Sequence, residues 1–262
     1  MLSALIRPWG HMHFAVSGPE AAPMILWANA LGTDLRLWDA VCALLQGWRH
    51  VRFDKRGHGL SATPTGPWEV TDIACDAVAL LDHLGVARAV VGGCSVGGMV
   101  AQAAAIRHPG RVRALVLSNT AARIGTAEAW EARIAAIRAD GLASIVPAVL
   151  ERWFPSAHRA TSAVKPWETM LLRCDPDGYV ETCGAIARAD FRAGVAGIAV
   201  PTLMIAGSED LATPPDLVAE TCALIPNARM ITIAGAGHLP AIDAPQTTAA
   251  AIAAFLNDLP DD

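Results

Sequence analysis

Short runs of apolar residues alternate with amphipathic segments along most of this chain. Each run is bounded by turn or charged residues, which is typical of a strand buried on both faces. After the second run, Val70, Ile73 and Leu80 share one stripe of a helix. This alternation predicts an α/β fold with a mostly parallel sheet covered on both faces. The predicted strands are Met24 to Ala28, Val51 to Phe53, Ala89 to Gly92, Ala114 to Leu117, Thr202 to Ala206 and Met230 to Ile233.

The alternation breaks once, in the segment that precedes the fifth predicted strand. This segment has no convincing strand but has helical periodicity, so it is expected to form a cap over the carboxyl ends of the sheet. The predicted helical stretches lie around Trp130 to Ala139, Leu142 to Phe154 and Tyr179 to Arg188. The sequence therefore predicts a core domain formed by residues 1–121 and 198–262 and a helical cap formed by residues 122–197.

Composition narrows the class of protein. The chain has 262 residues, of which 53% are hydrophobic and 17% charged, enough apolar material for one large core. A net charge of -5 without a dense Lys/Arg cluster argues against a nucleic-acid partner. No segment supplies the roughly 18 consecutive apolar residues of a membrane span. Six scattered cysteines without metal-ligand spacing favour reduced thiols, so we expect a cytoplasmic protein without a metal site. The oligomeric state is left open.

A G-x-S-x-G pentapeptide at Gly93 to Gly97 follows a predicted strand and precedes Ala-rich helical sequence. A serine on such a strand-to-helix elbow has strained backbone geometry, and its flanking residues must be small to avoid clashes. The N–H groups at the start of the following helix point toward negative charge on a bound carbonyl oxygen. The pattern predicts that Ser95 is the nucleophile of an acyl-transfer reaction.

A serine hydroxyl is a weak nucleophile at neutral pH, so it needs a base and a carboxylate that orients the base. Asp210 follows the fifth predicted strand, and His238 lies in a Gly-rich loop after the sixth. The chain order Ser, Asp, His is the one expected of this architecture. Glu209 is the alternative acid, and Asp210 is favoured because its position suits the loop pattern.

The tetrahedral intermediate of acyl transfer needs two backbone N–H donors, which form an oxyanion hole. One is expected from Val96, directly after the nucleophile. The other is expected from Leu31, in the loop after the first predicted strand, where Ala30 and Gly32 let the backbone approach a substrate. The side chain of Asn29 is expected to brace this loop.

His58 is the histidine that competes with His238. It lies in a Gly-flanked turn after a predicted strand, but early in the chain. A structural role is favoured over a catalytic one, and Asp54 and Arg56 are expected to pair and hold the turn in place.

The pentapeptide Gly93 to Gly97, with Asp210, His238 and the turn Asp54 to Ser61, resembles the α/β-hydrolase superfamily across nearly the whole chain. This resemblance implies an α/β-hydrolase fold and a Ser-His-Asp triad. The triad chemistry requires no metal or organic cofactor.

A narrower resemblance lies in Asn29 to Trp38, which is similar to the N-S-L-G-T-D-x-x-x-W signature of 3-oxoadipate enol-lactonases, with Ala30 at the Ser position. Glu151 to Phe154 and Gly178 to Ile186 are similar to the R-W-F and G-Y-x-x-x-x-x-A-I stretches of that family. The resemblance implies hydrolysis of a five-membered enol lactone that carries a free carboxylate, giving 3-oxoadipate in bacterial aromatic catabolism.

A substrate carboxylate needs a cation near the cap, and Arg152 or Arg188 would supply a two-pronged contact. Each of them has a competing interpretation as a solvated helix residue. Trp153 is expected either to close an apolar wall over the lactone ring or to pack the cap onto the core.

Two other functions stay open. A general carboxylesterase or another lactonase, with perhydrolysis as a side reaction, would use the same triad on uncharged esters. A small-molecule receptor on the same fold would bind its ligand far faster than it hydrolyses it.

Overall fold

Eight strands form one sheet in the computed structural model, which describes residues 3–260. In chain order they are β1 (Ser3–Arg7), β2 (Gly10–Ser17), β3 (Met24–Ala28), β4 (Arg49–Phe53), β5 (Ala89–Cys94), β6 (Val112–Ser118), β7 (Thr202–Gly207) and β8 (Ala228–Ile233). The spatial order is β1-β2-β4-β3-β5-β6-β7-β8. β1 and β2 pair antiparallel, as do β2 and β4, and all the other pairs are parallel.

β3, β5 and β7 are buried along their whole length, because helices cover both faces of this sheet. The α-helices of the described chain are α1 (Asp39–Leu44), α2 (Val70–His83), α3 (Val96–Arg107), α4 (Ala127–Asp140), α5 (Val146–Trp153), α6 (Ser156–Arg159), α7 (Lys165–Leu172), α8 (Pro176–Arg188), α9 (Pro215–Leu224), α10 (Pro240–Asp243) and α11 (Pro245–Asn257). α2 packs against α3, and α1 packs against α11. Short 3-10 turns lie at Leu35–Trp38, Pro109–Arg111, Leu142–Ile145, Ser162–Val164 and Val195–Gly197.

All six predicted strands are present, and most extend one or two residues beyond the predicted bounds. The hairpin of β1 and β2 was not predicted. β1, at the edge of the sheet, alternates between exposed and partly buried positions, whereas β2 also buries Met12 and Phe14. The helical stretch predicted over Leu142 to Phe154 is present in two parts: a 3-10 turn comes first, and α5 then begins with Pro147 in its first turn. Proline is favoured there because it needs no hydrogen-bond acceptor.

The segment between β6 and β7 contains helices α4 to α8 and no strand, as predicted. α4 packs against α8. At the start of α8, a Cβ built on Gly178 would overlap the carbonyl oxygen of Gly57, so the helix touches the turn after β4 directly. The end of α5 is joined to the core as well, since the His238 N–H donates to the Trp153 carbonyl at 2.9 Å.

The junction of β5 and α3 is packed so closely that glycine is required on both sides of Ser95. A Cβ built on Gly93 would overlap the carbonyl of Gly97, and one built on Gly97 would overlap the carbonyl of Ala28 at the end of β3. The elbow is therefore pressed against the neighbouring strand, and the glycines allow this approach.

We expect Gly93→Ala to lower the free energy of unfolding by about 1–3 kcal/mol, because its Cβ has no room and backbone must shift. Urea denaturation measures the change. Gly110→Ala is the matched control, since a Cβ there meets open space. It should change stability by less than about 0.5 kcal/mol. Equal stability of the two variants would contradict the close-packed elbow.

Candidate active site

Ser95 lies between β5 and α3 with φ 58° and ψ -121°. This left-handed conformation is strained for a residue with a side chain, and it persists because its neighbours hold it. The Ser95 N–H donates to the Ser118 carbonyl at 3.0 Å. The Ser95 carbonyl accepts hydrogen bonds from the first turn of α3 and from the Thr120 hydroxyl at 2.6 Å. The backbone of the predicted nucleophile is therefore tied on both sides.

Asp210 and His238 are joined as predicted. The Nδ1 atom of His238 lies 3.0 and 2.9 Å from the two carboxylate oxygens of Asp210, and both side chains are buried. With Nδ1 facing a carboxylate, the neutral ring carries its lone pair on Nε2, the form that can accept a proton. Glu209, the alternative acid, is exposed.

Asp210 is surrounded by further donors. Asn119 Nδ2 and the Thr213 hydroxyl donate to one oxygen at 2.8 and 2.7 Å, and the N–H groups of Ala212 and Thr213 donate to the other at 2.7 and 3.0 Å. Burial alone would raise the pKa of Asp210. The imidazole and these hydrogen bonds outweigh burial and hold the pKa below its ordinary value. Asp210 is thus kept as a carboxylate.

Asn119 was not predicted from the sequence. It follows β6 with a left-handed φ of 49°, and its amide bridges Asp210 and the Gly237 carbonyl, 3.1 Å away. Its only signal in the sequence is a position just beyond a core strand, which many polar residues share.

The oxyanion-hole prediction concerns the N–H groups of Leu31 and Val96. Among the hydrogen bonds within residues 3–260, neither of these N–H groups has an acceptor, although both residues are buried. The neighbouring Gly32 N–H, by contrast, donates to His58 Nε2 at 3.1 Å. Buried N–H groups are rarely left unpaired, so this pair is suited to receive an oxygen atom from a ligand.

His58 is a support for the loop after β3, as the structural interpretation predicts. Its Nδ1 lies 3.1 Å from the Arg56 carbonyl, and its Nε2 accepts from Gly32. Burial, assisted by the charge of Lys55, lowers the pKa of His58 well below its ordinary value, so the ring is neutral. Asn29 braces the same loop through its amide, which donates to the Thr33 carbonyl.

The expected pair of Asp54 and Arg56 is wrong. Arg56 donates to Asp76 on α2 at 2.6 Å, whereas Asp54 binds His13 Nδ1 at 2.7 Å. Asp54 also accepts the Leu35 N–H at 2.7 Å. Both side chains do hold the turn, but through partners distant in sequence that spacing alone does not identify.

One cavity of about 190 Å³ collects the reactive groups, and Ser95, His238 and Leu31 all line it. Arg152 and Trp153, at the end of α5, line it too. Trp153 is 5% exposed and belongs to the hydrophobic core, so it both walls the cavity and packs the helical segment onto the sheet.

Trp130, Arg133 and Tyr179 are among the lining residues of this cavity that were not predicted as site residues. The Arg133 guanidinium lies over the Trp130 ring, 4.7 Å from its centroid. Their spacing of three places both on one face of a helix, but spacing does not show which face meets the sheet.

Arg188 does not line this cavity, and the expectation that it binds substrate is corrected. Its guanidinium donates to Glu69 at 2.7 Å and to the Trp68 carbonyl at 2.9 Å. Arg188 is thus a partly exposed residue that ties the end of α8 to the segment before α2.

A larger cavity of about 470 Å³ lies beside the loop after β3, where Thr33, Arg36 and Arg173 are among its lining residues. Neither Ser95 nor His238 lines it. The smaller cavity is therefore the candidate active site, because Ser95 and His238 both line it.

Neither metal clusters nor membrane spans emerge from the described residues. Within residues 3–260, no three His, Cys, Asp or Glu side chains are grouped to hold a metal ion. No helix in that range has both the length and the apolar character needed to cross a bilayer.

The chain belongs to the α/β-hydrolase family, which matches residues 25–251. It is similar to 3-oxoadipate enol-lactonase 2 of Acinetobacter baylyi, with 37% identity over 205 residues that make up 77% of each chain. Its fold is similar to the crystal structure of the enol-lactonase from Burkholderia xenovorans LB400, with a TM-score of 0.94, 34% identity and coverage of 98% and 100% of the two chains. A hydrolase from Pseudomonas aeruginosa PA01 gives a TM-score of 0.93 and 36% identity, over 97% and 98%.

These similarities confirm the predicted fold class and the predicted family resemblance. The chain is an enzyme of the carboxylic ester hydrolase class and is enol-lactonase-like.

Asp243 makes the stability of the His238 loop dependent on pH. One of its oxygens accepts the Gly237 N–H at 2.8 Å, and the other is buried without a partner. Burial raises its pKa to about 6. A carboxyl with a raised pKa contributes stability below its unfolded pKa, about 3.9, and loses that contribution as pH rises through 6.

We expect Asp243→Asn to remove this loss while retaining a group that accepts from Gly237. The variant should gain on the order of 1–2 kcal/mol over the wild type between pH 4 and 8. Urea denaturation at several pH values measures the difference. Asp140→Asn, at the exposed end of α4, is the control and should leave the curve unchanged. A pH-independent difference for Asp243→Asn would contradict the prediction.

Proposed function

We propose that this protein hydrolyses a carboxylate-bearing lactone, with 3-oxoadipate enol-lactone as substrate, through an acyl-enzyme on Ser95. The observation that carries the proposal is one cavity that holds Ser95, His238, Leu31 and two arginines, Arg133 and Arg152. The similarity to 3-oxoadipate enol-lactonases over three quarters of the chain supports the same substrate.

In the proposed mechanism, His238 takes the proton of Ser95 as the hydroxyl oxygen attacks the lactone carbonyl. The new oxyanion accepts hydrogen bonds from the N–H groups of Leu31 and Val96, which have no other acceptor among the described residues. Collapse of the tetrahedral intermediate breaks the ring C–O bond and releases an enolate-like oxygen, which takes a proton and ketonises. Water activated by His238 then attacks the ester and frees the acid and Ser95. Asp210 orients the imidazole throughout.

The two arginines favour a substrate with a free carboxylate. Arg152 is exposed as a whole, but partial burial lowers its pKa, and the nearby positive charge of Arg133 lowers this pKa further. Neither guanidinium forms an ion pair within residues 3–260. Two like charges in one small cavity repel each other, and a bound anion relieves that repulsion. A carboxylate matches the planar donor pattern of arginine.

The apolar part of the cavity fits the ring of such a substrate. Trp130, Trp153 and Val149 supply flat and aliphatic walls from α4 and α5. These walls, like both arginines, come from the segment between β6 and β7. We therefore propose that residues 122–197 act as a cap that selects the substrate, over a core of residues 1–121 and 198–262 that supplies the chemistry.

We expect Ser95→Ala to abolish hydrolysis of the lactone, by about 10⁴-fold or more in kcat, because no other nucleophile is activated by His238. Loss of one hydroxyl should leave the thermal unfolding midpoint within a few degrees of wild type. Steady-state kinetics and thermal denaturation test both parts. Wild-type turnover by this variant would end the triad proposal.

We expect Arg133→Met and Arg152→Met each to lower kcat/KM for the lactone by about 10- to 100-fold, the equivalent of one lost charge-assisted hydrogen bond. The kcat/KM for a neutral short-chain aryl ester, assayed in parallel, should fall far less.

Arg188→Met is the matched control, because Arg188 lies on α8 but outside the cavity. Wild-type preference for the ester, with no effect of the cavity arginines, would favour a general carboxylesterase. Binding without turnover of either compound would favour a receptor.

A further inference from the structure

Lys55 is a buried cation directly behind the loop that carries Leu31. It follows β4 and is 2% exposed. Its Nζ donates to the Ala30 carbonyl at 2.6 Å and to the Thr33 carbonyl at 3.3 Å. No carboxylate within residues 3–260 forms an ion pair with it. Burying an ammonium group without a counter-ion costs free energy, so we expect Lys55 to have a role at this loop that compensates for that cost.

The Ala30 carbonyl receives an unusual number of donors. Besides Lys55, the Thr33 hydroxyl donates to it at 3.0 Å and the Thr33 N–H at 3.2 Å. This carbonyl belongs to the same peptide group as the Leu31 N–H. Hydrogen bonds to a carbonyl polarise the amide and strengthen its N–H as a donor, and the effect is larger when the donor is charged and the surroundings are dry.

We propose that the Lys55 ammonium group is a positioning residue that strengthens the oxyanion hole through the Ala30–Leu31 peptide. Its charge stabilises the oxyanion of the tetrahedral intermediate more than the neutral ground-state carbonyl. This inference rests on the proposed function, in which the Leu31 N–H receives that oxyanion. Lys55 therefore acts on kcat, without touching the substrate.

Several charged or titratable groups surround Lys55. The carboxylates of Asp34 and Asp54 favour its charged form but are bound to Arg36 and His13, respectively. The remaining neighbours are the thiols of Cys94 and Cys174 and the neutral ring of His58. Burial lowers the pKa of Lys55 to about 7, against the pull of these acids.

This environment gives kcat an alkaline limb. As pH rises through the pKa of Lys55, the ammonium group loses its proton, and kcat should fall. Lys55 is therefore responsible for the alkaline side of the kcat profile.

The test compares Lys55→Met and Lys55→Gln with wild type on a neutral aryl ester, so that the cavity arginines do not enter. Both variants should lower kcat by about 10- to 100-fold, with little change in KM. This loss is less than or comparable to the roughly 10²- to 10³-fold loss of kcat on deletion of one oxyanion-hole donor. Both should also lose the alkaline limb of the kcat profile. Lys165→Met is the matched control, because it removes the other lysine of the chain, which lies at the exposed start of α7. Its kcat and the alkaline limb of its pH profile should equal those of wild type.

A measurement on the wild type keeps the test decisive even if both Lys55 variants fail to fold. The chain has two lysines, so ¹³Cε-lysine labelling gives two NMR signals, which Lys165→Met assigns. The Lys55 signal should titrate at the pH of the alkaline limb of kcat. Coincidence supports the proposal, and a limb that does not follow the signal overturns it. Folded Lys55→Gln with wild-type kcat and pH profile overturns it as well.

The two proposals fail in different ways. A Ser95→Ala variant that still hydrolyses esters would overturn the proposed function, and this inference with it. Activity that depends on Ser95 but not on Lys55 would overturn this inference alone.

Discussion

Ser95 holds a left-handed backbone conformation at the junction of β5 and α3, and the chain around it is packed against the end of β3. This contact is what brings the loop after β3 beside the first turn of α3. The two N–H groups without acceptors, on Leu31 and Val96, come from these two segments. The strained backbone of Ser95, a helix terminus and a loop from the neighbouring strand thus meet because glycine permits their backbones to touch.

Three side chains, Asp210, His58 and Lys55, determine the charge around this junction. Asp210 is saturated with donors and faces His238, so the imidazole is oriented by a group that stays ionised. His58 is neutral and serves as an acceptor in the support of the loop. Lys55 places positive charge behind that loop, where water does not screen it. Negative charge that develops on a substrate oxygen would therefore meet a site that is already organised for it.

The segment between β6 and β7 supplies most of the remaining cavity surface. Its connection to the loop that carries His238 is direct, because the Trp153 carbonyl accepts a hydrogen bond from the backbone N–H of His238. The same residue forms part of the hydrophobic core and the cavity wall. The cavity wall and the loop that carries His238 are thus joined through the end of α5.

Much of this organisation follows from local sequence alone. The parallel strands, the elbow at Ser95 and the loops that carry Asp210 and His238 are encoded by short patterns: apolar runs, flanking glycines and positions just after a strand. Such patterns describe a residue and its immediate neighbours. They predicted the fold class, and they located the residues that the structure joins as Asp210 and His238.

Only the tertiary structure decided the partners of charged and polar side chains that meet across long distances in sequence. Asp54 and Arg56 are two residues apart, yet they bind His13 and Asp76. Arg188 pairs with Glu69, while Arg133 enters the cavity, because the packing of α4 and α8 determines which helix face meets the sheet. Asn119 reaches Asp210 across 91 positions of sequence. An arginine or asparagine has the same local pattern on either face of a helix or in either loop, so its role is set by what packing places opposite it.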